Sequence, residues 1–96
     1  MTDEQVNFKF NEDKILLELL EKIKETYSKH YASREKQTID EIFDDGDGLG
    51  FCRGNAKKYL SRYGKKKGYN RDDLIKALHY IVFLIYLHDE NERKLT

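Results

Sequence analysis

The chain has 96 residues, 38% of them charged, and its 18 Lys and Arg are balanced by 18 Asp and Glu. That length gives one domain with a core of limited size, and a formal charge of zero argues against indiscriminate binding to long nucleic acid, which depends on phosphate neutralisation. A single cysteine, Cys52, excludes an internal disulfide and suits a reducing compartment, where a small buried hydrophobe is its ordinary role.

Residues 1–10 read as a flexible arm, although the alternation in VNFKF would suit a short strand. No signal-peptide pattern is visible there, so a cytoplasmic protein is expected. From Asn11 the pattern turns helical. Asn11 is placed to cap, and Glu12 and Asp13 put negative charge in the first turn, where the helix dipole favours it. Ile15, Leu16, Leu19, Leu20, Ile23 and Tyr27 recur at three and four residues, one apolar stripe of four to five turns. ASREKQ breaks that pattern. TIDEIFDD predicts a short helix with Thr38 and Glu41 in capping-box positions, ended by the glycines of GDGLG.

A third helix is predicted over about residues 49–63, with Gly64 as its stop. KKKGYNRD is a connector. Asn70 or Asp72 caps a last helix over about 72–88, and His88 at its end suits the dipole. DENERKLT reads as a solvated tail, which leaves residues 11–88 as the domain. The apolar run Tyr80–Leu87 is far short of the ~20 residues of a membrane span, so no membrane association is expected. In the last helix Leu74, Ala77, Leu78, Ile81, Val82, Leu84 and Ile85 cover much of the circumference. Such a helix needs cover on most sides. The expected architecture is therefore all-α, three or four helices assembled as a homo-oligomer.

Positive charge gathers in one place. From Arg53 to Lys67 there are seven Lys or Arg and no acidic residue. Asn55, Lys58 and Arg62 are spaced i, i+3, i+7 on the third helix, and Asp73, Lys76 and Tyr80 have the same spacing on the last. Two such stripes, joined by a short basic connector, would face each other across a helical hairpin or a subunit boundary. Lys and Arg donate to phosphate oxygens, and Asn both donates and accepts, so a pocket for phosphate plus base is one outcome. The other is a solvated face in which Lys58 and Arg62 pair with Asp73.

Several familiar chemistries are excluded. Gly64-Lys65 has no partner glycine five residues earlier and no hydroxyl after the lysine, so no Walker-type phosphate loop exists. DDGDG fails the calcium-loop spacing. His30, His79 and His88 are too scattered to form a metal-ligand set, so no metal site is expected. His79 is either a general acid–base group or a hydrogen-bonded helix histidine. Asp40, Glu41, Asp44 and Asp45 read as a solvated acidic turn.

The strings HY at 30–31, IDEI at 39–42, FCRGNAKKYLSRYGKK at 51–66 and DDLIKALHYIVFLI at 72–85 resemble a small family encoded mostly by bacteriophages and described as a domain of unknown function (DUF3310). One branch, similar to a T7-type phage protein, is described as a nucleotide kinase without a Walker motif. The resemblance covers about residues 29–86. It carries over His30, Tyr31, Asp40, Asn55, Lys58, Tyr59, Arg62, Lys65, Lys66, Asp73, Lys76 and Tyr80. The chain departs from it with Lys57 where many members are aliphatic, and with His79 where an aromatic such as Trp is common. The resemblance implies a phage nucleotide-binding protein. As a nucleoside monophosphate kinase it would use Lys58, Arg62 and Lys65 on the phosphates, with His30, Asp40 or Asp73 orienting the acceptor. Tyr31, Asn55, Tyr59, Lys66, Lys76, His79 and Tyr80 would complete the pocket, with Mg²⁺ entering only alongside the nucleotide. The alternatives are a protein that sequesters a small nucleotide without turnover, and a structural or regulatory phage protein.

Overall fold

The computed structural model describes residues 6–30, 34–65 and 68–95, the side chains of residues 30, 34–37 and 93–95 excepted. Four helices follow in order: α1, Glu12–His30; α2, Arg34–Asp44; α3, Gly48–Arg62; and α4, Arg71–Leu95. Among the described residues there is no strand, so VNFKF, from residue 6, is irregular.

Helix ends differ from the expectation in three places. Asn11 takes φ +58° and is not a side-chain cap; the Glu12 carboxylate instead accepts from the Phe10 N–H at 3.0 Å. α2 begins at Arg34, so Thr38 lies inside it rather than at its start. Arg, Glu, Lys and Gln are strong helix formers, and ASREKQ interrupts only the apolar period. For the same reason α4 continues through DENERK to Leu95. His88 is then interior to the helix, 3.5 Å from Glu92 one turn on.

α3 and α4 form an antiparallel hairpin. At its tip Gly64 has φ +86°, and a Cβ there would lie 2.9 Å from the Tyr69 ring. Both facts call for glycine. The Gly64 N–H donates to the Gly68 carbonyl at 2.7 Å, and Tyr63 and Tyr69 pack edge to face at 5.3 Å. Asn70 is the residue that caps α4, its Oδ1 accepting from the Asp72 N–H at 3.1 Å.

Small residues let the two helices approach. Cys52 and Ala56 on α3 and Ala77 on α4 are buried, and a Cβ on Gly48 would lie 2.9 Å from Leu87 and 3.0 Å from Phe43. Interiors packed this closely tolerate added volume poorly. Ala77→Leu should therefore lower stability by ~1–3 kcal/mol, read as a lower melting temperature with helical circular dichroism retained at low temperature. An unchanged melting temperature would mean that the α3–α4 seam is looser than its geometry.

α1 docks on the first half of α4. The Arg71 guanidinium grips the Glu18 carboxylate at 2.5 and 2.7 Å, and Lys22 reaches Asp72 at 3.1 Å. These hydrogen bonds hold the Glu18 and Asp72 carboxyls below the usual range. Of the α1 stripe, however, only Leu19 is buried. Leu16, Leu17 and Leu20 are exposed, as are Ile81, Ile85 and Tyr86 on α4. The radius of gyration is 15.7 Å, against roughly 12.5 Å for a compact domain of this length. The bundle leaves apolar helix faces open. Among the described residues no helix is long and apolar enough to cross a membrane.

Candidate functional site

The antiparallel register of α3 and α4 puts Tyr59 against Tyr80. Their rings stack at 6.0 Å and 15°. Three cations then converge on the Tyr59 ring. Lys58 Nζ is 4.7 Å from its centroid, Arg62 Cζ 5.3 Å, and Lys76 Nζ, from the opposite helix, 5.5 Å. Helical geometry accounts for Arg62, which follows Tyr59 at i+3 on one face, whereas Lys58, at i−1, reaches the ring through its long side chain. Only tertiary packing brings Lys76.

Among the described residues neither Lys58 nor Arg62 has a carboxylate within ion-pair distance, while Lys76 reaches Asp72 at 3.4 Å. Lys65 Nζ lies 3.5 Å from Ser61 Oγ. Lys58, Ser61, Arg62 and Lys65 line a shallow depression of about 250 Å³ along α3. Asn55 is committed differently: its Nδ2 donates back to the Phe51 carbonyl at 2.8 Å.

Asp73 shares the face of α4 that carries Lys76 and Tyr80. It is 4% exposed, and its Oδ2 has no hydrogen-bond partner. The pairing with Lys58 and Arg62 that the solvated-face alternative requires does not form, since both lie over Tyr59 instead. An unpartnered buried carboxylate oxygen is costly and calls for a reason. Its position in the first turn of α4, at the positive end of the helix dipole, offsets part of that cost.

A second cavity, of about 480 Å³, opens between α1, α2 and α4. Ile23, Ile39, Phe43 and Val82 contribute apolar walls, and Asp40 and His79 contribute polar groups. The His79 ring stacks on Phe83 at 4.6 Å and 25°. Tyr80 connects the two regions, 6.5 Å from His79 and 6.0 Å from Tyr59.

Burial disfavours the charged imidazolium, so the His79 pKa is lowered from its ordinary 6.5. The unfolded chain then takes up this proton at a higher pH than the folded one. Stability is full above about pH 6.5 and is lost as pH falls from there through the lowered folded value. The melting temperature should drop across that window. His79→Phe, which keeps a ring on Phe83, should flatten it, and an equally steep profile in that variant would assign the effect elsewhere.

The structure thus sorts the residues expected from the sequence. Lys58, Tyr59, Arg62, Lys76 and Tyr80 meet where α3 packs on α4, whereas Asn55 is bonded back to Phe51, Lys65 lies beside Ser61, and Asp73 is buried in the first turn of α4. Asp40 and His79 line the other cavity, so Asp40 and Asp73 do not share one site. Tyr31 and Lys66 lie outside the described residues, as does the side chain of His30. Sequence reasoning missed Phe43, Phe83 and Tyr86 as cavity residues. The i, i+3 spacing of Phe83 and Tyr86 was the available signal, and it merged into an apolar run. Among the described residues no group of three or more His, Cys, Asp or Glu is placed to hold a metal ion.

A family profile described as "Protein of unknown function (DUF3310)" matches residues 25–82. That span contains every cation around Tyr59 and both Asp40 and His79 of the second cavity. No curated protein and no solved structure matches the chain significantly.

Proposed function

The chain belongs to the DUF3310 family, and from that premise we propose that it binds a small nucleotide, its phosphates held in the α3–α4 cleft. The observation that carries this reading is the convergence of Lys58, Arg62 and Lys76 on the stacked Tyr59 ring. The ring face compensates each cation by only ~0.5–1 kcal/mol at an exposed site. The cations repel one another, and a polyanion relieves the repulsion while accepting charge-assisted hydrogen bonds. With no Walker loop, side chains rather than backbone N–H groups take the phosphates. The setting is that of a phage protein acting in the cytoplasm of an infected cell, assembled as a homo-oligomer through the open faces of α1 and α4.

Asp73 favours a second reading, phosphoryl transfer. Its buried, unpartnered oxygen is a group that could accept a proton from an acceptor hydroxyl. Lys58, Arg62 and Lys65 would neutralise the transferring phosphate, with Mg²⁺ brought in on the nucleotide. Calorimetry with nucleoside mono- and triphosphates, beside thin-layer analysis of the same mixtures, tests both. Binding without product means sequestration; product that Asp73→Asn abolishes means a kinase. Absence of binding by any nucleotide would leave the cleft a structural one.

A further inference from the structure

We propose that the cavity between α1, α2 and α4 is a nucleobase subsite, which takes a planar heterocycle with its N–H donors turned toward Asp40. The inference rests on the nucleotide reading of the neighbouring cleft, and it names where the other half of that ligand lies. Size is the first ground. A volume of about 480 Å³ falls within the roughly 300–1,000 Å³ of small-molecule sites, which are apolar with a few placed polar groups.

Shape is the second ground. Four Phe or Tyr residues, Tyr27, Phe43, Phe83 and Tyr86, line the cavity. Phe43 and Tyr86 are nearly parallel, at 22° and 6.5 Å between centroids, and Phe83 meets Phe43 edge-on at 80°. Ring faces and edges in this arrangement suit a flat aromatic guest. An aliphatic chain would gain apolar burial there but no ring–ring geometry.

Polarity is the third ground. Asp40, exposed at the rim, has no ion pair or hydrogen bond among the described residues. An ionised carboxylate only accepts, so it favours bases carrying an exocyclic amino group over the carbonyl-flanked imide of uracil. His79, half-buried on the cavity wall and held toward its neutral form by burial, has one ring nitrogen that donates and one that accepts.

Continuity with the phosphate cleft is the fourth. Lys76 and His79 are i, i+3 neighbours on α4, so the last cation of the cleft adjoins the first polar group of the cavity. Tyr80 touches a ring on either side of that boundary. One nucleotide, base toward His79 and phosphate toward Lys76, fits this order along the helix.

The test separates the two halves of the ligand. Calorimetry on the full chain uses adenosine, cytidine and uridine, which carry no phosphate, and pyrophosphate, which carries no base. Adenosine and cytidine are expected to bind at millimolar concentration or below, and uridine at least tenfold more weakly. Asp40→Asn should erase that preference. Val82→Trp, which fills the cavity from a partly exposed position, should weaken adenosine at least tenfold, with a thermal melt confirming that the variant is folded. If Val82→Trp does not fold, the Asp40→Asn preference decides alone. Pyrophosphate binding without nucleoside binding would overturn the base subsite and leave the phosphate cleft standing. Nucleoside binding without pyrophosphate would do the reverse. Nucleosides that bind equally well to the wild-type and filled chains would also overturn the proposal.

Discussion

Lys58→Ala and Arg62→Ala are each expected to weaken nucleotide binding roughly ten- to hundredfold while leaving the melting temperature unchanged or slightly raised. The asymmetry follows from what each side chain touches. Neither has a carboxylate partner among the described residues, and both lie over the same ring, with Lys76 beside them. In the empty protein, removing one cation costs a cation–π contact and relieves repulsion between like charges, and the two effects nearly cancel. In the complex, the same change removes a charge-assisted hydrogen bond of ~1.5–3 kcal/mol, which sets the loss of affinity. The loss should shrink as salt rises, because the site is open and screened. Had Arg62 been present to pair with Asp73, its removal would lower the melting temperature and couple with Asp73→Ala. The structure holds no such pair, so the double-mutant cycle on stability should close with no coupling energy. A lowered melting temperature with unchanged affinity would make both residues scaffold and remove the phosphate reading.

Ile85→Asp should convert an oligomer into a folded monomer. In the single chain Ile85 is 57% exposed, so an aspartate there stays solvated and the helices keep their circular dichroism. If a second copy covers it, the charge is buried without a partner, at a cost of ~3–5 kcal/mol per subunit. That is enough to dissociate a micromolar assembly. Light scattering should give a multiple of 11.5 kDa for the wild-type chain and a mass near 11.5 kDa for the variant. A wild-type species at the monomer mass alone would leave the exposed Leu16, Leu17, Ile81 and Ile85 without their expected cover. The uncovered stripe supports assembly because of its extent. Scattered apolar residues on a surface are ordinary, whereas contiguous faces on two helices are not.

The primary sequence determined the helical class, because apolar recurrence at three and four residues admits little else. It also determined the hairpin turn, where Gly64 takes a backbone angle that other residues resist and Asn70 starts the next helix. The two i, i+3, i+7 stripes were visible as spacing, since residues on one helix face are neighbours whatever the tertiary fold. Helix ends were read less well. Arg34–Gln37 and Asp89–Lys94 carry helix propensity but no apolar period, so periodicity does not extend the helices over them. Tertiary structure alone decided which faces meet. Whether Lys76 reaches the Tyr59 ring, whether Asp73 is buried without a partner, and whether Asp40 and His79 line a different cavity all depend on distances between helices. A one-dimensional pattern sets the angle of each side chain about its own axis. The gap across to the next helix comes from Cys52, Ala56, Ala77 and Gly48, whose small size lets α3 and α4 close until charged and aromatic side chains touch.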